Sequence, residues 1–479
     1  MPRSIPPIEA IHHVHFVAVC GTAMGSLACM LAERGFRVTG SDIDAYPPMS
    51  DQLKAAGIEV QKGWSPERVR GDEPDLVVVI GNAARPDNPE ARAAIDGGLP
   101  YVSFCDAVQH FFLRGKHSVV VTGAHGKTTT TSIVAWMLTH AGRDPSALIG
   151  GVFENFGGSY RLGAGPEFVI EGDEYDSAFF DKTPKFLHYD ARTALITSIE
   201  FDHADIYQSL EQIQGAFREL VSQIPADGRI IAATDAETVR AVLAGAKAPV
   251  EGYGFRDGAI WRVSDIAFDA EGTQFTVWKR DERAARVRMP LFGRHNVENV
   301  LGAIAVCASL GLEPERAARA MAEFKGVKRR QELRGEAAGM AVIDDFAHHP
   351  TAVRETIASI RSRYPDRKLF AIFEPRTNTS RRRFFESDFA DALSAADEVI
   401  LAGVFKAEAL KEEERMRPDF VVDRVRRAGK RAHYLAEVDE IIEYLARHRT
   451  GKDVALVMSN GGFGNIWERL LARLRDAGK

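Results

Sequence analysis

The stretch VVVTGAHGKTTTTSIVAWML, residues 119–138, decides the fold. Val119, Val120 and Val121 are β-branched, as a buried strand prefers, and Ile133, Val134, Met137 and Leu138 recur at helical spacing. Between strand and helix, Gly123, Ala124, His125 and Gly126 make a turn whose glycines let backbone N–H groups converge. Those donors and the positive end of the following helix form an anion site. Lys127 supplies a charge that reaches β- and γ-phosphates, and the Thr128 hydroxyl, followed by Thr129, can ligate Mg2+. Val121 stands where the full Walker pattern has its first glycine, so the loop is a G-x-x-G-K-T variant. A lysine after such a turn can be surface punctuation, but strand, loop and helix agree on nucleotide phosphate.

Outward from this loop, the 479 residues allow about three domains at ~150 residues each. Hydrophobic content of 45% and charged content of 27% are those of an ordinary soluble globular protein. A net charge of −6 argues against a nucleic-acid binder. Cys20, Cys29, Cys105 and Cys307 are scattered without a CxxC pair, so neither a disulfide framework nor a zinc site is indicated. The N-terminus has no apolar signal core and no membrane span follows, so a reducing cytoplasm is the expected home. HHVHFVAVCGTAMGSLACMLAERGFRVTGSD (12–42) reads as strand, glycine turn, helix, strand and acid, an incomplete dinucleotide fingerprint. DLVVVIGNAARPDNPE (75–90) adds a buried strand and a polar loop. The first domain is expected over 1–114, the second over 115–328 and the third over 329–479. In the second, a helix is predicted over 209–224 and strands around 251–292. The third alternates strands and helices, which implies a mostly parallel sheet.

Several clusters could carry chemistry. VIEGDEYDSAFF (169–180) and TSIEFDHADIY (197–207) each end an apolar strand in acids, the second with His203 as well, whose other reading is a satisfied core histidine. Beside a phosphate loop, these are places for Mg2+ ligands rather than merely solvated caps. Asn296 and Asn299 share a helix face and can read an adenine edge or hold phosphate, although Asn296 alone suits a helix cap. KGVKRRQELRG (325–335) is either a basic linker or a charge that closes onto phosphate. In VIDDFAHHP (342–350), metal binding and ribose or phosphate contact are equally open. FEPRTNTSRRR (373–383) offers Arg376, Thr377, Asn378 and Thr379 for carboxylate recognition, or a helix start with surface arginines.

GAHGKTTTT, EGDEYD, EFDHADIY, GRHNVENV, GVKRR, DDFAHHP and the N-terminal CGTAMGSLACML with GSD, in this order and spacing, resemble the Mur ligase family along nearly the whole chain. The resemblance implies an α/β, three-domain architecture. A Rossmann-like N-terminal domain would bind UDP-N-acetylmuramate, a central P-loop ATPase-type domain would bind ATP, and a Rossmann-like C-terminal domain would bind a peptide and close on ATP. FFDKTPKFLHYDARTALITSIEFDHADIY and FEPRTNT resemble the branch that joins the lactyl carboxylate of UDP-N-acetylmuramate to the amine of L-alanyl-γ-D-glutamyl-meso-diaminopimelate in peptidoglycan recycling. Free L-alanine is the alternative acceptor. Small-molecule substrates are implied, with neither nucleic acid nor membrane.

By the same resemblance Lys127, Glu174, His203 and Arg330 would be catalytic, and Thr128, Glu174 and His203 would hold two Mg2+. ATP would meet residues 123–129 together with His295, Asn296, Asn299, Arg330 and Asp345. The UDP-sugar would meet Gly21, Thr22, Ala23, Met24, Gly25, Ser41, Asp42 and Asn82, and the peptide Arg376, Asn378 and Thr379. Two departures from the family pattern stand out. Ala124 replaces a polar residue, and Arg218 stands where many relatives carry a carbamylated lysine. An NAD-dependent oxidoreductase and a nucleotide-dependent switch are the readings from other classes.

Overall fold

A computed structural model describes residues 5–45, 49–69, 73, 75–202, 204 and 206–476 of the chain. His203, expected to be catalytic and a metal ligand, lies outside the described residues, as does its neighbour Asp205. Three sheets follow one another along the sequence. The first is wholly parallel: β1 (His13–Val17), β2 (Arg37–Asp42), β3 (Val60–Lys62), β4 (Leu76–Ile80) and β5 (Tyr101–Ser103), in the order β3-β2-β1-β4-β5. Helices cover both faces, which is why β1 and β4 are buried at every residue. The strand order reverses between β1 and β4, and such a switch point opens a crevice at the carboxyl ends.

The second sheet has ten strands. They are β6 (His117–Thr122), β7 (Ser146–Phe153), β8 (Gly158–Arg161), β9 (Glu167–Gly172), β12 (Thr193–Ile196), β13 (Arg229–Ala233), β14 (Val250–Gly254), β15 (Trp261–Asp269), β16 (Gly272–Lys279) and β17 (Glu282–Met289). A separate hairpin, β10 (Asp176–Ala178) with β11 (Asp181–Pro184), interrupts them and is not foreshadowed by periodicity. The strand-like region around 251–292 is β14 to β17, of which β15 to β17 are antiparallel. The expected helix runs Leu210–Gln223, and the Ser209 hydroxyl accepts the Gln212 amide at 3.4 Å as its cap. The third sheet, β18 (Glu332–Ala337), β19 (Met340–Asp345), β20 (Lys368–Phe373), β21 (Glu398–Leu401), β22 (Arg431–Tyr434) and β23 (Asp453–Met458), has the order β18-β19-β23-β20-β21-β22. Only its β18 edge is antiparallel. The fold is thus the three-domain α/β architecture of the expectation.

Apolar packing divides these sheets unequally. Phe111, Phe112 and Leu113, which close the first unit, sit in one cluster with Val120, Phe168 and Ile170 from a face of the second sheet. The Phe112 and Phe168 rings lie 6.3 Å apart. The third sheet instead buries its two faces in clusters of its own. Phe168→Ala should therefore cost about 3–5 kcal/mol. Hydrogen exchange should speed up in β1 and β4 as well as in β6, β9 and β12, while β19, β20 and β23 keep their protection. Faster exchange confined to the second sheet would contradict a shared core.

Candidate active site

β6 lies between β12 and β9 and runs parallel to both, with Thr122 opposite Ile196 and Gly172. The loops after these three strands therefore meet at one edge. Gly123 (φ 129°) and Gly126 (φ 78°) occupy backbone conformations that favour glycine. A Cβ at Gly123 would fall 2.3 Å from Thr197 Oγ1, and one at Gly126 2.5 Å from Asn299 Oδ1. The Ala124 and His125 amides donate to Ser198, to its carbonyl at 2.9 Å and its hydroxyl at 3.0 Å. Lys127, Thr128 and Thr129 begin the helix Lys127–His140, which has no side-chain cap, so its first amides face outward as anion donors.

Lys127, which loop position alone would leave exposed, is only 12% exposed. Its Nζ is 2.6 Å from Glu174 Oε2 and 3.5 Å from Asp173 Oδ1. Burial alone would lower its pKa, but the charges of Glu174, Asp173 and Glu171 outweigh burial and raise it. The Thr128 hydroxyl and the Gly150 amide donate to Glu171 at 3.1 and 2.9 Å, yet burial still pushes that carboxyl up. Lys185, just past the β10–β11 hairpin, reaches Asp173 Oδ2 at 3.2 Å. Asp173 thus bridges two ammonium groups. Sequence reasoning passed over Lys185 because a lysine beside a polar hairpin looks like surface, and only the fold brings it to the phosphate loop.

The third sheet faces this edge. Arg330 Nη2 donates to Thr128 Oγ1 at 3.3 Å, and its guanidinium lies over Phe346. Its neighbours Arg329 (φ 62°) and Gln331 (φ 53°) take left-handed backbone, strained for non-glycine residues. Strain there is held by the Phe346 amide on the Arg329 carbonyl and by the Gln331 amide on Asp345 Oδ2. Asp345 accepts the Ala347 amide on its other oxygen, and burial raises its pKa against the pull of Arg330. Farther along, Thr351 donates to Glu200 at 2.6 Å and Thr379 to Asp202 at 2.9 Å, each across the two sheets. Between them a cavity of about 320 Å³ is lined by His125, Gly126, Thr129, His295, Asn296, Asn299, Arg330 and Asp345, with Arg294 and Phe255 also on its wall. The Arg294 guanidinium stacks on the Phe255 ring at 3.7 Å, a platform suited to a flat base. Asn296 is no cap, since Gly293 holds that position. Its amide donates instead to the Phe292 carbonyl, and Asn299 Nδ2 donates to Asn296 Oδ1.

At the first sheet, Gly21, Thr22 and Asn82 are exposed on the turns after β1 and β4, with Ala23 half-buried beside them. Met24, Gly25 and Ser41 lie beneath. A Cβ on Gly25 would strike Met49 Sδ at 2.1 Å, and the Ser41 hydroxyl donates to buried Glu90. Asp42 accepts the Cys20 amide at 2.8 Å and so shapes the glycine turn. In the third unit Arg376 stacks on Phe405 at 3.6 Å and keeps Nη1 3.4 Å from Glu374. Asn378 accepts from Arg381 at 2.7 Å. Arg381, Arg382 and Arg383, which the sequence alone offers as surface arginines at a helix start, instead brace the segment around 405–415 through Phe405, Glu414 and Arg415.

Comparison with known proteins follows the same three-part division. Family models for the Mur ligase family catalytic domain, the Mur ligase middle domain and the Mur ligase glutamate ligase domain match residues 13–115, 121–307 and 329–461. UDP-N-acetylmuramate–L-alanyl-γ-D-glutamyl-meso-2,6-diaminoheptandioate ligase of Escherichia coli K12 is 39% identical over 96% of this chain and 97% of its own. The crystal structure of a murein peptide ligase of Psychrobacter arcticus, 36% identical, covers 97% of this chain and 99% of its own with a TM-score of 0.73. A UDP-N-acetylmuramate–alanine ligase of Thermotoga maritima, 25% identical, covers the same shares with a TM-score of 0.79.

Lys127→Met would leave Glu171, Asp173 and Glu174 without the cation they share. Chemical unfolding near pH 7.5 should show a loss of about 3–5 kcal/mol, the cost of breaking a buried pair. Glu171 already has a raised pKa, so the folded state holds more protons than the unfolded state and loses stability as pH rises. Removing Lys127 pushes this carboxyl higher still. The deficit should shrink toward pH 5, and a deficit independent of pH would refute the charge balance described here.

Proposed function

The chain belongs to the Mur ligase family, and from that premise we propose that it joins the lactyl carboxylate of UDP-N-acetylmuramate to the amine of L-alanyl-γ-D-glutamyl-meso-diaminopimelate, at the cost of ATP, in peptidoglycan recycling. The observation that carries the proposal is the knot of Lys127, Asp173, Glu174 and Lys185 at the phosphate loop, with Arg330 entering from the opposite sheet. The matches to relatives named for that tripeptide, which run almost the length of the chain, support the acceptor. An oxidoreductase reading gives way to family membership.

In this reading residues 1–114 bind the UDP-sugar, 115–328 bind ATP, and 329–479 present the peptide. The lactyl carboxylate oxygen attacks the γ-phosphorus, the bond to the β,γ-bridging oxygen breaks, and ADP leaves. The peptide amine then attacks the acyl phosphate carbonyl, the C–O bond to phosphate breaks, and the nitrogen loses its proton. Two anions must meet in the first step, so charge neutralisation dominates the barrier. Lys127 and the first amides of its helix hold the phosphates, Arg330 covers the transferring group, and Lys185 takes the carboxylate approaching from the side of the first unit. The hard oxygen donors around Lys127 suit Mg2+. Thr128 and Glu174, with His203, would hold the ions, which when bound neutralise phosphate charge. Asn296, Asn299 and His295 line the nucleotide cavity, and Arg376 is the peptide-side cation.

Free alanine presents the same amine to the same centre, and the Thermotoga alanine ligase shares the scaffold. The acceptor is therefore set by remote contacts. Phosphate release with UDP-N-acetylmuramate and ATP should show a kcat/KM for the tripeptide far above that for L-alanine, and the reverse preference would overturn the recycling assignment. Arg376→Ala should raise KM for the tripeptide with kcat little changed, since a remote contact contributes binding. Lys185→Met should raise KM for UDP-N-acetylmuramate about tenfold and leave KM for ATP alone, with Lys185→Arg restoring much of the loss. Equal effects on both substrates would make Lys185 a structural brace.

A further inference from the structure

Beside the phosphate loop, His125, Glu200 and His349 bring two imidazoles and a carboxylate together from the second and third sheets. His125 Nε2 is 3.4 Å and His349 Nδ1 3.7 Å from Glu200 Oε2, and the two rings are 4.8 Å apart. Neither contact is a hydrogen bond. His125 Nε2 is buried with no hydrogen-bond partner among the described residues. The tautomer of His349 is fixed by its neighbours. Its Nε2 faces the Phe201 carbonyl at 3.2 Å, which can only accept, and its Nδ1 receives the Thr351 amide at 3.4 Å. Nδ1 is therefore the unprotonated nitrogen; it lies beside the carboxylate, and a cation there would replace its long contact to the Thr351 amide.

Burial, with the charge of His125 added to it, holds the His349 pKa down to about 4, despite the opposing carboxylates of Asp202 and Glu200. Burial would push Glu200 up, but His125 and Thr351 outweigh it and bring the carboxyl to about 2. The set is thus a carboxylate oxygen between two imidazole nitrogens, with His125 Nε2 unpartnered among the described residues. A tetrahedral cation with bonds of ~2.0–2.1 Å sets its ligand atoms ~3.3–3.5 Å apart, close to the separations seen here. Outer contacts are in place too: the Phe201 carbonyl orients His349, and the Thr351 hydroxyl orients Glu200 at 2.6 Å.

We propose that His125, Glu200 and His349 bind a borderline-soft divalent cation such as Zn2+, pinning the phosphate loop to the helix Pro350–Arg363 that faces it. The donor set is that of a three-ligand zinc site with its fourth position open, which here is the nucleotide cavity that His125 and Glu200 line. Mg2+ prefers six oxygens, so the site selects against the ion suited to Thr128 and Glu174. A cation bridging the two bodies holds them together, and zinc-group metals should slow any step that needs them to part.

Co2+ reports such a site by its intense tetrahedral visible absorption. The full chain in excess Mg2+ should bind one Co2+ with that spectrum, and Zn2+ should displace it. His349→Gln and Glu200→Gln should each abolish the spectrum, while Glu174→Gln, which alters the hard-cation position, should keep it. X-ray absorption at the zinc edge of the unaltered protein, which needs no variant to fold, should show two imidazole ligands. An oxygen-only, six-coordinate shell, or a Co2+ spectrum that survives His349→Gln, would overturn the proposal.

Discussion

A single ammonium group organises the centre of this molecule. Three carboxylates, Glu171, Asp173 and Glu174, crowd the end of β9, and no chain would fold with them packed together uncompensated. Lys127 makes the crowd tolerable, and it can do so only because the turn before it places its side chain inward. That turn depends on Gly123 and Gly126, whose missing side chains leave room for Thr197 and Asn299. Loop, helix and acid cluster therefore stand or fall together. The same charges that must be balanced in the resting protein are the ones a phosphate would meet.

Topology supplies the rest of the site. Parallel strands deliver every loop to one edge, so β6, β9 and β12 present lysine, acids and hydroxyls to one small volume. The third sheet brings its own carboxyl edge to face them, and Arg330, Thr351 and Thr379 span the gap. Such an arrangement suits a reaction between two anions, because each partner is held by a different rigid body and meets the other only where cations gather.

Much of this was legible in the residues. Strand, glycine turn and helix around 119–138 are local features, and local sequence determines them. The acid clusters were legible because apolar strands announce their own ends. Lys185 was not, since its importance lies in a hairpin that folds it back on Asp173, a contact between residues with no shared periodicity. Arg381 to Arg383 misled for the opposite reason: charge is visible in sequence, but the backbone carbonyls that engage it are not. Asn296 suits a cap by residue type alone, but the helix begins two residues before it, after Gly293 with its positive φ.

The apolar continuity between the first two sheets bears on how such chains can be recombined. Phe111, Phe112 and Leu113 belong to the core of both bodies, so a cut near residue 114 would expose a greasy face on each fragment. At residues 326–331 only Val327 reaches into the second core, and the third body carries its own complete core. Gene exchange that swaps one acceptor module for another has a usable seam at this second junction alone. A lineage of such enzymes is thus free to diversify what it adds while keeping what it adds it to.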